Sequence, residues 1–385
     1  MKASEDEFDH VHQVNSKRHI PRQRRLAYIG IIYLAFLLVL VGIEIITRLT
    51  MEHVASLDLF VVTPQQKAQV ANPQQSTIFE GDPLLLWRLK PNLDQAYWDF
   101  TTVSTNAQHL RQPRPLQPKA PGTFRIVSLG DSVTFGYRVP PVWPEKPKDF
   151  NPEWVPYPML LEKQLRAANA DRQIEVITMA VPGYTSHQGL AWLRHEIDDL
   201  QPDLLIVSFG WNDASFGDVP DREAIRTDWY VVAVRRLVDT SQAFAHATRW
   251  LRSRQPPGAA VALPAPRVSD QEYVNNFRQM VGLARARGAG VIIIGAPYRD
   301  RVTNPPEAEM MGRYRASLRS FAQQNQIPFL EVLELTEAAH ASNEGWFGEL
   351  IHPNHMGHRL MASELLKFMR SNRMLGDLNV PDLVP

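Results

Sequence analysis

The strongest constraint on the fold is an alternation of short apolar segments with helical segments along the last two-thirds of the chain. Branched and apolar residues predict five strands, at 124–129, 174–180, 203–209, 290–297 and 327–332. Apolar residues at helical spacing predict helices at 153–169, 187–200, 270–287, 306–324 and 355–371. Strands that alternate with helices form βαβ units, so the sequence predicts a three-layer α/β domain with a parallel sheet.

A second feature lies near the N-terminus, where residues 26–43 carry no charge. The apolar character continues beyond Glu44, and a spanning helix needs about 20 mostly apolar residues. Glu44 lies near one end of the segment, where a charge costs less than at the bilayer centre. We therefore predict a transmembrane anchor over 26–47. The alternatives are a buried core helix and a cleaved signal peptide, whose apolar region is usually about 7–15 residues long.

Basic residues determine the orientation predicted for this anchor. Upstream lie Lys17, Arg18, Arg22, Arg24 and Arg25, whereas the first basic residues that follow the apolar segment are Arg48 and Lys67. The positive-inside rule predicts a basic tail in the cytoplasm, over 1–25, with the rest of the chain on the other side. The sequence thus predicts a single-pass protein of the cytoplasmic (inner) membrane with an extracytoplasmic domain.

The remaining boundaries follow from periodicity and composition. Residues 48–122 show no strong periodicity and are interpreted as a stem and lead-in segment before a domain over 123–375. The insertions 137–158 and 214–266 interrupt this domain, and 376–385 forms a C-terminal tail. The formal net charge is zero, so no bulk field attracts nucleic acid, and none is predicted as a partner. The absence of cysteine excludes disulfides, cysteine nucleophiles and thiolate metal sites.

The first candidate for chemistry is Ser132, in the run GDSVTFG directly after the first predicted strand. Open α/β sheets bind ligands beyond the carboxyl ends of their strands, which is where this serine is expected. Gly130 permits a tight turn, and the N-terminus of a following helix would face a developing oxyanion. A serine needs a base within hydrogen-bond reach to act as a nucleophile. The alternative is that Asp131 or Ser132 simply caps a helix.

His352 is the candidate base, in the run GELIHPNHMGHRL. The proline after it disfavours helix at the histidine, so His352 is expected in a turn before the last helix. Glu349 precedes it by three residues, and a carboxylate there would fix the imidazole tautomer and stabilise the imidazolium. With His355 and His358 nearby, a metal site or solvated and capping histidines are the alternatives. The HExxH spacing is missing, and we predict no metal site.

Two loops after predicted strands offer hydrogen-bond donors. Gly183, in VPGY, can present a bare backbone N–H, and Asn212, in GWND, can donate its side-chain amide. Such donors stabilise the oxyanion of acyl transfer, and losing one typically costs about 2.7–4 kcal/mol of transition-state stabilisation. Each residue alone is more often part of an ordinary turn. Together, the polar loops at one edge of the predicted sheet indicate an acyl-transfer site.

The order of the motifs resembles that of the SGNH (GDSL-type) hydrolase superfamily. GDSVTFG is followed by a glycine in VPGY, then by GWND, then by a carboxylate–x–x–His–Pro–Asn run near the end. These motifs span about residues 125–370, roughly two-thirds of the chain. The resemblance implies a flavodoxin-like fold with a five-stranded parallel sheet, and it implies no cofactor.

The resemblance also implies roles for individual residues. Ser132 is the family's nucleophile and His352 its histidine. The N–H groups of Ser132 and Gly183 and the side chain of Asn212 would form the oxyanion hole. The family usually has aspartate three residues before the histidine, where this chain has Glu349, so a triad and a Ser–His dyad both stay open. The residues expected to shape the motifs without acting chemically are Asp131, Gly130 and Gly210.

The segment before the domain carries a looser resemblance. Residues 82–92 and 103–115 are similar to the lead-in of envelope-associated members with an N-terminal anchor, although Leu110 stands where a glycine is expected. Those proteins often accompany polysaccharide biosynthesis, so the resemblance implies envelope biosynthesis proteins as partners. The alternative is a stem segment that packs on the edge of the domain.

Three functions are consistent with these motifs. The first is a serine esterase that hydrolyses short acyl esters of an extracytoplasmic glycan or lipid through an acyl-enzyme. The second is an O-acyltransferase of an envelope polysaccharide, which would form the same acyl-enzyme. The third is a non-catalytic carbohydrate-binding module, and the intact set of motif residues argues against it.

The two insertions carry the residues expected to determine specificity. Their aromatic residues, Trp143, Trp154, Tyr157, Trp229, Tyr230 and Trp250, would either line an acyl or sugar pocket or pack the loops. An amphipathic helix within 223–252 would either lie against the membrane or cap the site.

Overall fold

The computed structural model describes residues 21–70, 78–141, 150–217, 219–254, 265–297, 305–332 and 343–379. Most of the predicted cytoplasmic tail, Trp143 and the end of the predicted C-terminal tail lie outside the described residues.

The helices and strands have the following bounds. The strands are β1 (Phe79–Asp82), β2 (Leu86–Leu89), β3 (Ala96–Trp98), β4 (Thr101–Val103), β5 (Phe124–Gly130), β6 (Ile174–Ala180), β7 (Leu204–Ser208), β8 (Phe216–Gly217), β9 (Ala265–Pro266), β10 (Gly290–Gly295) and β11 (Phe329–Glu331). The helices are α1 (Arg22–Thr50), α2 (Ser56–Phe60), α3 (Pro64–Val70), α4 (Ser132–Phe135), α5 (Tyr157–Ala168), α6 (Ser186–Leu200), α7 (Trp211–Ala214), α8 (Asp221–Ala224), α9 (Trp229–Thr240), α10 (Gln242–Ser253), α11 (Asp270–Arg285), α12 (Pro305–Gln324) and α13 (His355–Ser371). A 3-10 turn covers Asn343–Trp346.

The central sheet has five parallel strands in the order β11–β10–β7–β5–β6. β7, in the middle, is buried along its whole length, as expected for a parallel strand that is covered on both faces. Side chains alternate between two cores, so Val127 of β5 faces one and Ile126 the other. Helices α6, α11 and α12 contribute to the first core, and α5 and α13 to the second. The predicted three-layer α/β fold with a five-stranded parallel sheet is confirmed.

The register of the sheet brings three loops to one edge. Gly130 at the end of β5 pairs with Ala180 at the end of β6 and with Ser208 at the end of β7. Parallel strands in register end level with each other, so the segments that follow them leave the sheet side by side. This edge is where the candidate site lies.

The segment 48–122, interpreted as a stem, contributes buried apolar side chains to the core of the domain among its described residues, from Val54 to Leu110. Trp87 of β2 is fully buried, and its indole N–H donates to the carbonyl of Pro182 at 3.3 Å. The Tyr184 hydroxyl donates to the carbonyl of Trp87. The stem interpretation is therefore corrected. The hairpins β1–β2 and β3–β4 have strands of three or four residues, too short for periodicity to reveal them.

The amphipathic helix predicted within 223–252 is likewise corrected, because the structure divides its main part into α9 and α10. Ser241 separates them with an extended backbone, and its hydroxyl accepts the N–H of Phe244. Serine is a common N-cap because its oxygen satisfies a free N–H group of the first turn. The apolar spacing continues across this break, which is why the pattern alone indicated one helix.

Helix α1 is long and apolar enough to span a membrane, and its apolar side chains are exposed. Near its end, the Glu44 carboxylate accepts the Ser241 hydroxyl at 2.6 Å and the N–H groups of Gln242 and Ala243, both at 3.0 Å. The carboxylate thus caps the N-terminus of α10 from another helix. These contacts tie the last turns of α1 to the corner between α9 and α10.

Candidate active site

The candidate nucleophile lies in the turn at the end of β5. The Asp131 carboxylate accepts the N–H of Val133 at 2.9 Å and so caps the short helix α4. Gly130 leaves no room for a side chain, because a Cβ there would lie 2.1 Å from Thr134 Oγ1. Burial raises the pKa of Asp131 to about 6. Ser132 is the first residue of α4, so its hydroxyl lies at the carboxyl edge of the sheet.

Ser132 contacts a histidine from the far end of the domain. His352 Nε2 lies 2.7 Å from Ser132 Oγ, and His352 Nδ1 is hydrogen-bonded to the Glu349 carboxylate. A carboxylate accepts, so Nδ1 carries the hydrogen and Nε2 is left to accept from the serine hydroxyl. Asn354 then caps α13 by accepting the N–H groups of its first turn. The three predicted residues therefore form one hydrogen-bonded chain.

The charge of Glu349 is set by opposing effects. Burial alone would raise its pKa, but the hydrogen bond and charge of His352, the N–H of Ile351 and the charge of Arg138 outweigh it. The pKa of Glu349 is therefore held below its ordinary value. The residue that faces the histidine is a carboxylate at neutral pH.

Tyr137 supports the histidine from the side. Its ring packs on the imidazole of His352, with centroids 4.2 Å apart and an angle of 37° between the planes. Its hydroxyl donates to Asp99, which also accepts hydrogen bonds from Arg138. Tyr137 lies at the start of the insertion 137–158, but no local feature selects it, since its partner Asp99 lies 38 residues earlier in the chain.

Arg111 holds the loop that follows the nucleophile. Its buried guanidinium donates to the carbonyls of Gly136 at 2.7 Å and Val139 at 2.6 Å, and also to that of Phe135. The lead-in segment therefore contributes directly to the shape of the site. Neither the length of this segment nor its motif resemblance predicts that contact.

The predicted oxyanion-hole residues lie on neighbouring loops. Gly183 has a positive φ of 83°, a conformation that costs other residues strain. The Asn212 side-chain amide donates to the carbonyl of Tyr184 at 3.0 Å. Gly210, just before α7, approaches the methyl group of Met311, to which a Cβ would lie at 3.0 Å. The structure thus joins the Gly183 and Asn212 loops by a direct hydrogen bond.

A buried ion pair contacts the Gly183 loop, and the sequence did not reveal it. Arg267 and Asp221 are 3% and 2% exposed, and the guanidinium donates to both carboxylate oxygens, at 3.1 and 2.9 Å. Arg267 also donates to the carbonyl of Gly183 at 3.0 Å. Asp221 accepts the hydroxyl of Thr185 at 2.6 Å. The two partners lie 46 residues apart, Asp221 within the insertion 214–266 and Arg267 directly after it, so no local motif marks them.

The three clustered histidines have three different partners. His352 contacts Ser132, whereas His355 stacks on Trp154 with ring centroids 3.8 Å apart. His358 is fully buried and accepts the N–H of Tyr157 at its Nδ1, at 3.2 Å. Within the described part of the chain, no group of three or more histidine or acidic side chains is arranged to hold a metal ion.

We expect the chain to lose stability in mild acid through His358. Burial, with the charges of Arg111, His352 and His355, lowers the pKa of His358 from 6.5 to about 3. Between these values the unfolded chain binds a proton that the folded chain does not. The contribution of neutral His358 to the free energy of unfolding is therefore fully present above pH 6.5. It is lost as the pH falls towards 3. His358→Asn keeps an acceptor for the Tyr157 N–H but cannot be protonated.

The measurement is the thermal unfolding midpoint of the full chain in detergent, at about pH 7 and about pH 4.5. The midpoint of the variant should fall less on acidification than that of the wild type. Equal falls in the two proteins would contradict the assignment.

Comparison with known proteins relates this geometry to a family. The model of the GDSL-like lipase/acylhydrolase family matches residues 128–360. Solved structures with a similar outline include a lipase/acylhydrolase from Enterococcus faecalis, at 16% identity and a TM-score of 0.42 over 68% of this chain and 100% of that chain. An acetylxylan esterase from Geobacillus stearothermophilus is similar at 16% identity and a TM-score of 0.40, over 66% and 96%. A GDSL-like lipase from Parabacteroides merdae is similar at 17% identity and a TM-score of 0.42, over 67% of this chain and 100% of that chain. No curated protein sequence matches the chain.

The family match covers more than half of the chain, and the matched range contains the serine, glycine, asparagine and histidine motifs together with Glu349. It agrees with the fold, whose five parallel strands bring these motifs to one edge. The chain belongs to the GDSL-like lipase/acylhydrolase family and is a hydrolase of ester bonds.

Proposed function

We propose that the protein is a serine esterase in which Ser132 is the nucleophile, His352 its base and Glu349 the carboxylate that orients the base. The 2.7 Å contact between Ser132 Oγ and His352 Nε2 carries this proposal. A serine hydroxyl becomes nucleophilic when a base within hydrogen-bond reach accepts its proton. Because the Glu349 carboxylate fixes the hydrogen on Nδ1, the free lone pair of Nε2 faces the hydroxyl.

The reaction proceeds in two halves. His352 Nε2 accepts the Ser132 proton while Oγ attacks the ester carbonyl carbon, and the carbonyl oxygen becomes an oxyanion. The tetrahedral intermediate collapses as the C–O bond to the alcohol breaks, and the imidazolium returns the proton to the departing alcohol. Water then attacks the acyl-enzyme, His352 accepts its proton, and the acid leaves as Oγ regains a hydrogen.

Backbone and amide donors are proposed to stabilise the oxyanions that form in the two halves of the reaction, when Ser132 attacks the ester and when water attacks the acyl-enzyme. The Ser132 N–H lies at the start of α4, where the first N–H groups of a helix have no partner within the helix. The Gly183 N–H and the Asn212 amide belong to two loops that are hydrogen-bonded to each other. Such fixed donors act at no cost of reorganisation when charge develops.

Helix α1 supports a proposal about the side of the membrane on which the protein acts. If this helix crosses the cytoplasmic membrane, the basic residues before it favour an N-terminus in the cytoplasm and a catalytic domain on the other side. We propose esters of extracytoplasmic glycans or lipids as substrates, because these molecules occur on the side of the membrane where the catalytic domain would lie.

The test uses the full chain in detergent with p-nitrophenyl acetate and butyrate and a fluorophosphonate that reacts with activated serines. We expect turnover of the esters and a single labelled peptide that contains Ser132. Label on another serine would contradict the proposed nucleophile. Labelling of Ser132 without net hydrolysis would favour acyl transfer to an acceptor missing from the assay. Neither turnover nor labelling would favour a non-catalytic carbohydrate-binding module.

Replacing Glu349 by glutamine tests whether the carboxylate orients the base. Glutamine keeps the size of the side chain but removes the charge and allows the wrong imidazole tautomer, so we expect kcat to fall by up to about 10⁴-fold. The measurement is kcat and KM for p-nitrophenyl acetate. Glu309→Gln, the same change at an exposed position on α12, is the control and should keep wild-type kcat. An unchanged kcat in Glu349→Gln would show that a dyad suffices.

A further inference from the structure

Helices α9 and α10 carry large apolar side chains that are about half exposed or more. Those on α9 are Trp229, Tyr230, Val234 and Leu237, and those on α10 are Phe244, Trp250 and Leu251. Trp229 is 81% exposed, and the others are between 46% and 58% exposed. Tyr230, Val234 and Leu237 recur at spacings of four and three residues, and Phe244 and Leu251 at a spacing of seven, so they form a stripe along one face of each helix. Trp229 and Trp250 each directly precede a member of the stripe and lie at its border. We refer to these seven side chains as the apolar face.

The opposite sides of both helices pack on the domain. Val238 of α9 and Ala245 of α10 are buried, and both helices contact α2. Arg252 donates from α10 to the carbonyl of Leu59 in α2, and Arg235 donates from α9 to the carbonyl of Pro83. Because α9 and α10 are neighbours that rest on the same element, their stripes are both turned away from the domain core.

The position of α1 links this face to a membrane. The Glu44 carboxylate caps α10, and Arg48, one turn later in α1, donates to the carbonyl of Thr240 at the end of α9 at 2.9 Å. The uncharged stretch 26–43 ends directly before Glu44. If that stretch spans the bilayer, the corner between α9 and α10 lies at the depth where the chain leaves the hydrocarbon region.

The composition of the two helices fits the boundary between lipid and water. Tryptophan and tyrosine are enriched at that depth because one end of the ring is apolar and the other polar. From 229 to 253 the chain has four arginines against one aspartate, a net charge of +3. Arg254 lies over the ring of Trp250, 4.1 Å from its centroid. Cationic helices with aromatic residues on one face bind in the plane of bilayers that contain anionic lipid.

We propose that the apolar face of α9 and α10 lies in the headgroup region of the bilayer that α1 crosses, and thereby holds the catalytic domain against the membrane surface. This proposal rests on the proposed membrane anchor but not on the esterase activity. The occupant is a phospholipid surface rather than a second protein, since the face continues from the contact between α1 and α10.

The test is depth-dependent quenching of a fluorophore on single cysteines, which the chain permits because it has none of its own. Leu237→Cys and Leu251→Cys report on the apolar face, and Leu38→Cys reports on α1. Gln323→Cys, at an exposed position on α12, is the matched control. The labelled full chain is reconstituted into phosphatidylcholine vesicles with phosphatidylglycerol, which carry a nitroxide either near the headgroup or deep in the acyl chain.

We expect the nitroxide near the headgroup to reduce fluorescence at positions 237 and 251 by about twofold or more, with little change at 323. We expect the deep nitroxide to quench position 38 most. Quenching at 38 without quenching at 237 and 251 would overturn the proposal while supporting the anchor. No quenching at 38 would overturn both. Labels at 237 and 251 that are shielded from aqueous iodide but insensitive to the lipid nitroxide would show a protein partner instead, and would also overturn the proposal.

Discussion

Ser132→Ala is expected to abolish ester turnover, with a loss in kcat of about 10⁴- to 10⁶-fold. The hydroxyl is the only group of Ser132 that this change removes, and it is the atom that His352 contacts at 2.7 Å. His352→Ala should lose activity to a similar extent, because residues that act as one catalytic unit are not additive. The measurement is kcat for p-nitrophenyl acetate, together with phosphonate labelling. The double variant should be no worse than either single variant.

Ser371→Ala controls for the chemistry of the substitution. Ser371 is an exposed serine at the end of α13, and its hydroxyl donates to the carbonyl of Lys367. This variant should retain wild-type turnover and labelling. If Ser132→Ala kept more than about one-tenth of wild-type activity, a different nucleophile would have to be sought, since the loss of an essential hydroxyl costs far more.

Arg267→Leu is expected to have the largest effect on stability. It leaves the Asp221 carboxylate buried without its partner, and breaking a buried ion pair in this way costs about 3–5 kcal/mol. It also removes the hydrogen-bond donor to the carbonyl of Gly183, so we expect a lower kcat for those molecules of the variant that fold. Thermal unfolding and kcat of the purified chain measure the two effects. The same substitution in an exposed pair, Arg172→Leu beside Asp377, should leave both nearly unchanged.

The double variant Arg267→Leu with Asp221→Asn separates the two effects. Removing both charges should restore part of the stability, because the uncompensated carboxylate is gone. Activity should stay low, because the carbonyl of Gly183 still lacks its donor. Recovery of stability together with full kcat would mean that Arg267 has no positioning role. An Arg267→Leu variant as stable as Arg172→Leu would contradict the burial of the pair.

The parts of the fold that the sequence predicted well are those with local signals. The five parallel strands were recognisable because buried strands are short, apolar runs bounded by turn residues, and their observed ends differ from the predicted ones by two residues or fewer. Ser132 and His352 could be selected as candidates because each belongs to a motif of fixed order, and the structure places Ser132 Oγ 2.7 Å from His352 Nε2. The sheet register then brings 130, 180 and 208 level, as the parallel arrangement requires.

The parts that escaped prediction depend on distant pairs. Trp87 is buried against the carbonyl of Pro182, 95 residues away, and nothing near Trp87 in the sequence signals that contact. Arg267 pairs with Asp221, 46 residues earlier within the insertion, and no local sequence pattern distinguishes Arg267 from the other arginines. The packing of 48–122 on the domain escaped prediction for a second reason, because strands of three or four residues carry too little periodicity to be recognised.

The capping of α10 by Glu44 has a practical meaning for anyone who wishes to prepare the enzyme without detergent. A truncation that begins at residue 51 removes the whole apolar helix, but it also deletes the carboxylate that accepts two N–H groups and a hydroxyl of the remaining protein. Losing a helix cap typically costs about 0.5–2 kcal/mol. A truncation that begins at residue 42 discards most of the apolar stretch and keeps Glu44. The best first residue of a shortened protein is therefore determined by the cap that Glu44 provides for α10. That residue lies within α1, the helix that the truncation is meant to remove.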